Sequence, residues 1–459
     1  MRSLTSLLFA IPLAALSLAF APDAAACGAC FHGEMENTQV TGHKMIFSIS
    51  PTETTLWDQF QYVGDPSSFA WVLPIKGNVD IGLSSDALFE QLNQSSQVTV
   101  EPPPINCPPP PSCWNGSASA SSSGGLGFDA GSVTVTSQKV VGPFETVTLH
   151  STDPNALADW LTTNGYVIPQ GFAPVISAYV SEGFDFLALK LIPGQDVKAM
   201  RPVRVSMAGA GASLPLRMIA AGVGVTTPIT LWVFGQGRYE PTNFPSFVIA
   251  PDQLVWDFAT SSSNYKTLRQ AGFDAANGKS WLVETSRAFS SYEVSQPLQY
   301  LTMVDPAGSG YADDNGMGAP EALAADLDKL WGNIGATSLW LTRLYAELPR
   351  PALATDLTIG AAASQAQVPG NLTAKKGVNI PECPTYPPCP DTSSSSGGTS
   401  TGNGGAGGAG GSGGSGGTPG GGSSSGCNVG GVSQPPLAIG ALVAALGLGL
   451  ARRRRSKKR

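Results

Sequence analysis

The feature that most limits what this chain can fold into is a run of 36 residues, 391–426, made almost entirely of glycine, serine and threonine. Such a run offers no apolar surface to bury, so it cannot form a folded unit. As a flexible coil it would reach roughly 30–36 Å. The sequence therefore predicts a folded domain over about residues 27–390, followed by a flexible linker.

The segment after the linker predicts contact with a membrane. Cys427 is followed by an apolar span at residues 437–451 and by a cluster of arginines and lysines at residues 452–459. As a helix the span is about 22 Å long, shorter than the ~30 Å hydrocarbon layer, and the basic cluster would stay on the cytoplasmic side. We expect a transmembrane helix here, with the large domain facing outward. A permanent anchor and a processed sorting signal are both compatible with this order.

The first residues predict export. Arg2 precedes an apolar stretch at residues 4–20, and alanines at positions 24–26 form a small-residue cleavage site. This order is typical of a secretory signal peptide, which signal peptidase removes. We expect residues 1–26 to be cleaved, so that the mature chain begins at Cys27. A lipoprotein signal is the alternative, because a cysteine follows the cleavage site directly.

The C-terminal segment 427–459 also resembles a known signal. Gly426-Cys427-Asn428, the apolar stretch and the arginines at 452–455 are similar to the MYXO-CTERM sorting signal of myxobacterial surface proteins. The resemblance implies an inner-membrane intermediate, cleavage near Cys427 by a myxosortase, which is an intramembrane protease, and transport to the cell surface or outer membrane. It also implies that Cys427 is kept and lipid-modified.

Export makes disulfide bonds the expected state of the cysteines. Four consecutive prolines between Cys107 and Cys113 favour an extended helix that holds these two residues about 18 Å apart, whereas a disulfide needs Cα atoms within about 7 Å. This favours bonds from Cys107 and Cys113 to the equally spaced Cys383 and Cys389. Local pairing through a cis proline is the alternative. The candidate disulfide residues are Cys27, Cys30, Cys107, Cys113, Cys383 and Cys389.

Hydrophobic periodicity inside the domain predicts more strands than helices. Strands are predicted at 55–63, 69–75, 97–101, 133–141, 145–150, 184–192, 216–221, 229–235, 280–283 and 338–345. Helices are predicted at 86–94, at 153–164 with Asp153 as the cap, at 265–273 and at 320–331. The proline- and serine-rich residues 101–128 predict a loop insertion. Because strands and helices do not alternate regularly, the expected fold class is α+β, with largely antiparallel sheets in one large or two closely packed domains.

The charge balance excludes some partners. The chain has 26 basic and 33 acidic residues, and eight of the basic residues and one acidic residue lie in the two terminal processing segments. The remaining 18 basic and 32 acidic residues give a net charge of −14. An acidic domain argues against binding to nucleic acid and against adsorption to anionic lipid headgroups.

Several blocks resemble an uncharacterised bacterial exported family, the domain of unknown function 2330. They include Cys27-Gly28-Ala29-Cys30-Phe31, Gln61-Tyr62-Val63-Gly64-Asp65-Pro66 and Phe69-Ala70-Trp71-Val72-Leu73-Pro74-Ile75, with further similar stretches as far as residue 357. The resemblance implies an exported domain. It implies no activity and no site residues, because the family has none assigned. The proline-rich insertion and Ile75-Lys76 depart from the family pattern.

Residues able to do chemistry are few. The histidines are His32, His43 and His150, and Cys27, Cys30, His32 and Glu34 are close enough in sequence to bind a metal. In an exported protein a Cys27–Cys30 disulfide explains the same spacing, and a thiol redox role would need an activated thiolate. We therefore predict no metal and no cofactor at these positions.

Three further patterns have simpler structural explanations. Ser263 and Lys266 match the Ser-x-x-Lys pattern of penicillin-binding enzymes but lack its companion motifs. The oxygen-rich residues 313–316, with Glu321, suggest Ca²⁺ but fail the EF-hand spacing, and a helix-capping turn explains them as well. Trp71 could serve as an aromatic platform, although apolar residues on both faces of 69–75 indicate a central core strand that Pro74 ends.

We therefore expect an exported, surface-tethered protein of the cell envelope that acts as a non-catalytic binding or structural module for an unidentified surface ligand. An envelope hydrolase whose catalytic residues the sequence does not reveal is one alternative. A metal-binding surface protein is the other.

Overall fold

The computed structural model describes residues 29–32, 39–63, 69–77, 79–108, 140–141, 144–149, 155–169, 171–191, 201–209, 211–311, 318–335 and 339–388. The chain divides into two units, Met1–Cys389 and Pro390–Arg459, and every described residue lies in the first. The predicted signal peptide, linker and C-terminal segment lie outside the described residues. The α+β class is confirmed, because helices and largely antiparallel sheets share this unit.

The largest sheet has eight strands in the order β14-β17-β18-β12-β2-β3-β10-β5. Two neighbouring pairs, β12–β2 and β14–β17, are parallel, and the other pairs are antiparallel. The strands are β2 Gln39–Ile49, β3 Glu53–Val63, β5 Val79–Leu83, β10 Val203–Ala208, β12 Thr226–Gly235, β14 Ser246–Phe247, β17 Trp281–Ala288 and β18 Trp340–Pro349.

A second sheet has five antiparallel strands in the order β1-β4-β9-β8-β7. The strands are β1 Ala29–His32, β4 Phe69–Ile75, β7 Val140–Val141, β8 Phe144–Leu149 and β9 Asp185–Leu191. The prediction that residues 69–75 form a central core strand is confirmed, since β4 lies between β1 and β9 and residues 70–75 are buried on both faces. The expectation that Pro74 ends this strand is wrong. Pro74 pairs with Phe186 of β9 and lies beyond Val72, the last residue that β1 covers, so within the described part of the chain its missing N–H deprives no neighbouring strand of a hydrogen bond on that side.

Short strands form three small sheets around the two large ones. They are β6 Thr99–Glu101, β11 Ala212–Leu214, β13 Tyr239–Pro241, β15 Val255–Asp257, β16 Ser262–Ser263, β19 Leu357–Ala361, β20 Asn371–Thr373 and β21 Lys376–Val378. The α-helices are α1 Asp86–Ser96, α2 Ala156–Thr163, α3 Ala173–Ser181, α4 Leu216–Ile219, α5 Tyr265–Ala275, α6 Tyr292–Val304 and α7 Ala319–Leu327. A π-helical turn, Asp328–Gly332, follows α7 directly, and two 3₁₀ turns lie at Pro251–Gln253 and Arg350–Ala354.

Two predicted elements need correction. Residues 216–221 were expected to be a strand, but they begin with α4, because Pro215 precedes the turn and its carbonyl accepts hydrogen bonds from the amides of Met218 and Ile219. The helix expected from Asp153 begins at Ala156, and its N-cap is Asn155.

Three clusters of buried hydrophobic residues form most of the core. One cluster fills the space between the two large sheets, with Trp71 and Leu187 from the smaller sheet meeting Phe47 and Leu231 from the larger. A second cluster packs α1, α6 and α7 on the other face of the eight-stranded sheet. A third packs α2 and α3 on the other face of the five-stranded sheet. The domain is therefore layered as helices, sheet, sheet and helices.

Candidate binding surface

Helix α6 presents an uncharged and largely apolar face to solvent. Tyr292, Tyr300 and Met303 are 68, 65 and 67% exposed, and Val304 is 57% exposed. Residues four apart lie on one face of a helix. Tyr292 and Tyr300 are eight residues apart, so their Cα atoms are separated by about 12 Å along the helix axis. The exposed residues that we call the α6 stripe are Tyr292, Gln296, Gln299, Tyr300, Met303 and Val304.

The opposite face of α6 explains why this segment is a helix. Val294, Leu298 and Thr302 are buried and recur every four residues, which is the spacing of an amphipathic helix. Val294 and Leu298 belong to the same cluster as Phe89 of α1 and Trp232 of β12. Because this face is buried against the domain, the α6 stripe on the opposite face points to solvent.

Pro297 interrupts the backbone of α6, and α1 compensates for the interruption. A proline has no N–H to donate to the carbonyl four residues earlier, here that of Glu293. The Gln91 side-chain Nε2 of α1 donates to this carbonyl oxygen at 3.1 Å. The otherwise unsatisfied backbone group is thereby paired, so α6 continues through the proline and is tied to α1.

An ion pair fastens the first turn of α6. The Arg287 guanidinium of β17 donates to both carboxylate oxygens of Glu293, at 2.9 and 2.6 Å, and also to the carbonyl of Ser95 at 3.1 Å. Partial burial alone would raise the pKa of Glu293, but the bonds from Arg287 outweigh it and the pKa lies below its usual value. Glu293 is therefore a paired carboxylate at neutral pH, and this pair holds α6 against β17 and α1.

The Asp326 carboxylate, at the end of α7, pins the helical layer to the eight-stranded sheet. It is fully buried and accepts four hydrogen bonds. Trp57 Nε1 and Arg204 donate to one oxygen at 2.7 and 2.8 Å. Ser84 Oγ and Tyr311 Oη donate to the other at 2.5 and 3.0 Å. A buried carboxylate with this many donors is satisfied as an anion, so it has a structural role.

Tyr311 remains protonated in this arrangement. Burial raises the pKa of the Tyr311 hydroxyl well above its usual value, and the neighbouring Asp326 charge raises it further. The hydroxyl therefore stays a hydrogen-bond donor at neutral and mildly alkaline pH.

The helices beside the α6 stripe are acidic. Helix α6 contacts α1 and α7. Asp86 and Glu90 of α1 and Glu321 of α7 are exposed, and the residues of α1, α6 and α7 include no lysine or arginine. The α6 stripe is therefore an apolar strip with carboxylates on its neighbours.

One predicted disulfide is present. Cys107 is bonded to Cys383, with 5.4 Å between their Cα atoms, although 276 residues separate them in sequence. This is one of the bonds that the proline geometry favours. Cys27, Cys113, Cys389 and Cys427 lie outside the described residues, and of Cys30 only the backbone in β1 is described.

The structure places His43 in the core. Its Nδ1 lies 3.1 Å from Asp58 Oδ1, and the two side chains are 1% and 0% exposed. The second oxygen, Asp58 Oδ2, has no hydrogen-bond partner among the described residues. A histidine beside an aspartate is a common catalytic pair, but this pair lies among apolar residues between the two large sheets, where solvent and substrate have no access.

The other sequence candidates are structural or outside the description. The Ser263 hydroxyl accepts a hydrogen bond from the backbone N–H of Tyr265 at 3.4 Å, and Lys266 is exposed. Trp71 is completely buried, so it is a core residue and no ligand platform. His150 and residues 313–316 are among those not described. Among the described residues, no three His, Cys, Asp or Glu side chains converge as a metal site requires.

Comparison with known proteins assigns the family. A family described as "Uncharacterized protein conserved in bacteria (DUF2330)" matches residues 21–356, which is well over half of the chain. No match was found among curated proteins or solved structures. No helix in the described part of the chain is long and apolar enough to cross a membrane, and the span predicted at 437–451 lies beyond that part. The chain belongs to the DUF2330 family of uncharacterized bacterial proteins.

Proposed function

We propose that this protein is a non-catalytic binding module, exported and tethered at the cell surface, and that the α6 stripe is the surface with which it binds a protein partner. The observation that carries the proposal is the exposure of two tyrosines, a methionine and a valine along one helix face. Contiguous exposed apolar surface on a soluble domain marks an interaction site.

The composition of the α6 stripe favours a protein as the partner. Tyrosine and methionine are enriched in protein interfaces, where lysine and glutamate are depleted. Tyr292 and Tyr300 offer large rigid rings with a polar end, which is the kind of side chain that supplies most of the binding energy in such interfaces. Gln296 and Gln299 add hydrogen-bonding groups between them.

The charges beside the α6 stripe define the partner further. Asp86, Glu90 and Glu321 are exposed, and the whole chain outside its two processing segments is acidic. Electrostatic complementarity therefore favours a partner with an apolar centre and a basic rim, and it disfavours anionic lipid headgroups.

The sequence outside the described residues supports the tethered location. A signal peptide at residues 1–26 would export the chain, and the run 391–426 would hold the domain away from the surface as a flexible linker. In this proposal a myxosortase-like protease cuts near Cys427 after the apolar span has entered the inner membrane. The mature protein, which keeps a lipid-modified Cys427, is then transported to the cell surface or outer membrane.

A complementation experiment tests the proposal. In a deletion strain, a variant with Tyr292→Ser, Tyr300→Ser and Met303→Ser is expected not to restore the biological role of the protein. Substitutions at exposed positions typically change the free energy of unfolding by no more than about 0.5 kcal/mol each, so the thermal melt and the display at the surface should be preserved. Display is measured by protease accessibility on intact cells.

The matched control changes exposed apolar residues elsewhere. Val225 and Val248 are 86 and 45% exposed and lie outside α6. A Val225→Ser, Val248→Ser variant should complement fully. Full complementation by the α6 variant, or equal failure of both variants with normal folding and display, would contradict the assignment of the binding surface.

A further inference from the structure

The Cys107–Cys383 bond, which we call the clasp, lies where the folded domain ends. The last buried side chains before it are those of Leu372 and Ala374. The following residues, 375–382, are exposed except for the partly buried Gly377, and we call them the strap. The strap lies beyond residue 356, where the family match stops.

Other than the clasp, the contacts that hold the strap to the domain are weak. Its strand β21 pairs with β15 over three residues, and Asn379 Nδ2 donates to Asp257 at 2.8 Å. Its apolar side chains, Val378 and Ile380, are 45 and 56% exposed, so about half of their surface stays in water and does not stabilise the segment. The three residues of β21 contribute no buried side chain that would strengthen this pairing, and a short strand pairing without such burial is marginal in water.

The clasp connects the strap to a different part of the chain. Cys107 lies six residues after β6, and β6 pairs in parallel with β20, the strand just before the strap. The C-terminal segment therefore has two covalent routes to the body of the domain. One is the peptide backbone through the strap, and the other is the clasp through residues 102–107.

The strap also contains an exposed cleavage site. Lys375 and Lys376 are adjacent and exposed, and endopeptidases that recognise basic residues cut after such side chains. Hydrolysis of the Lys376–Gly377 bond adds one water, leaving a carboxylate on Lys376 and an ammonium on Gly377. The disulfide is untouched by this step.

We infer that the clasp is a second covalent connection that keeps the domain attached to its C-terminal linker after the strap is cut, so that release requires both cleavage of the strap and reduction of the Cys107–Cys383 bond. Reduction by a dithiol transfers two electrons and two protons to the two sulfurs and leaves the reductant as a disulfide. The biological meaning of this inference rests on the proposed role of the linker as a tether. The attachment itself is a property of the isolated chain.

The test uses the purified, oxidised full chain carrying Cys113→Ser and Cys389→Ser, so that these two cysteines cannot form an additional bond. After limited trypsin treatment, mass spectrometry should find cleavage at Lys375 or Lys376, while the C-terminal fragment stays attached until dithiothreitol is added. In the same background, Cys383→Ser should release the fragment without reductant. The fraction released should then be at least about tenfold higher, because a covalent link is replaced by a weak strand pairing.

A variant with Lys375→Gln and Lys376→Gln shows that the cut lies in the strap, since it should yield no such fragment. Release of the fragment from the oxidised, clasp-containing chain would overturn the inference, and so would resistance of the Lys375–Lys376 site to cleavage. Neither result bears on the α6 stripe, which is tested separately in cells.

Discussion

Replacing Asp326 by alanine is expected to lower the free energy of unfolding by about 4–5 kcal/mol. The substitution leaves Trp57 Nε1, Ser84 Oγ and Tyr311 Oη buried without an acceptor, and it removes the charge that pairs with Arg204. Each buried group without a partner costs about 1–3 kcal/mol. Since domains are stable by only about 5–15 kcal/mol, we expect little folded protein at 37 °C. Urea denaturation followed by tryptophan fluorescence measures the loss.

Asp328 provides the matched control. It lies two residues further along the chain, is exposed, and its replacement by alanine should change the free energy of unfolding by less than about 0.5 kcal/mol. Asp326→Asn keeps one acceptor oxygen and should fall between the two. An Asp326→Ala variant as stable as the Asp328→Ala variant would show that the buried carboxylate does not hold the helical layer to the sheet.

The second large effect is expected at His43 and Asp58. His43→Leu removes the only described partner of a fully buried carboxylate and should cost about 3–5 kcal/mol. The double variant His43→Leu, Asp58→Leu removes both polar groups and places apolar side chains in an apolar cluster. We expect it to recover at least about 2 kcal/mol relative to His43→Leu alone, because replacing a whole buried pair is much less costly than breaking it.

A double-mutant cycle on unfolding free energies measures this coupling. The two single variants and the double variant are compared with the unaltered protein by chemical denaturation. Effects of the two single substitutions that simply add, within about 0.5 kcal/mol, would mean that the His43–Asp58 contact contributes nothing of its own.

Strand β4 shows what sequence could predict. Apolar residues at every position from Phe69 to Val72 predicted burial on both faces, since no polar side chain interrupts the pattern. The structure confirms this for Ala70, Trp71 and Val72, which are fully buried. The clasp was partly predictable for a different reason. Four prolines favour an extended segment between Cys107 and Cys113, which made a distant partner for Cys107 the favoured alternative to local pairing.

Strand β2 shows why other elements could not be predicted. Its central residues, Gly42, His43 and Lys44, interrupt the apolar pattern and read as a loop. His43 can be buried there because it forms a hydrogen bond with Asp58, which lies diagonally opposite on β3. This partner is fifteen residues away, so the sequence around His43 does not reveal it.

Helix α6 was missed because of Pro297, which normally ends a helix. The compensation comes from Gln91, about 200 residues earlier in the chain, so it is visible only in three dimensions. The four-residue spacing of Val294, Leu298 and Thr302 was the available signal. Missing this helix meant missing the α6 stripe, the surface on which the functional proposal depends.

The most direct test of that proposal is photo-crosslinking in living cells. A benzophenone amino acid placed at Tyr300 should form a discrete adduct that protease digestion removes, whereas the same group at Val248 should not. Adding Tyr292→Ser and Met303→Ser should reduce the adduct roughly fivefold or more, which corresponds to about 1 kcal/mol of lost binding free energy. An adduct that is absent at position 300, or equally strong at position 248, would contradict the account of α6 as the binding surface.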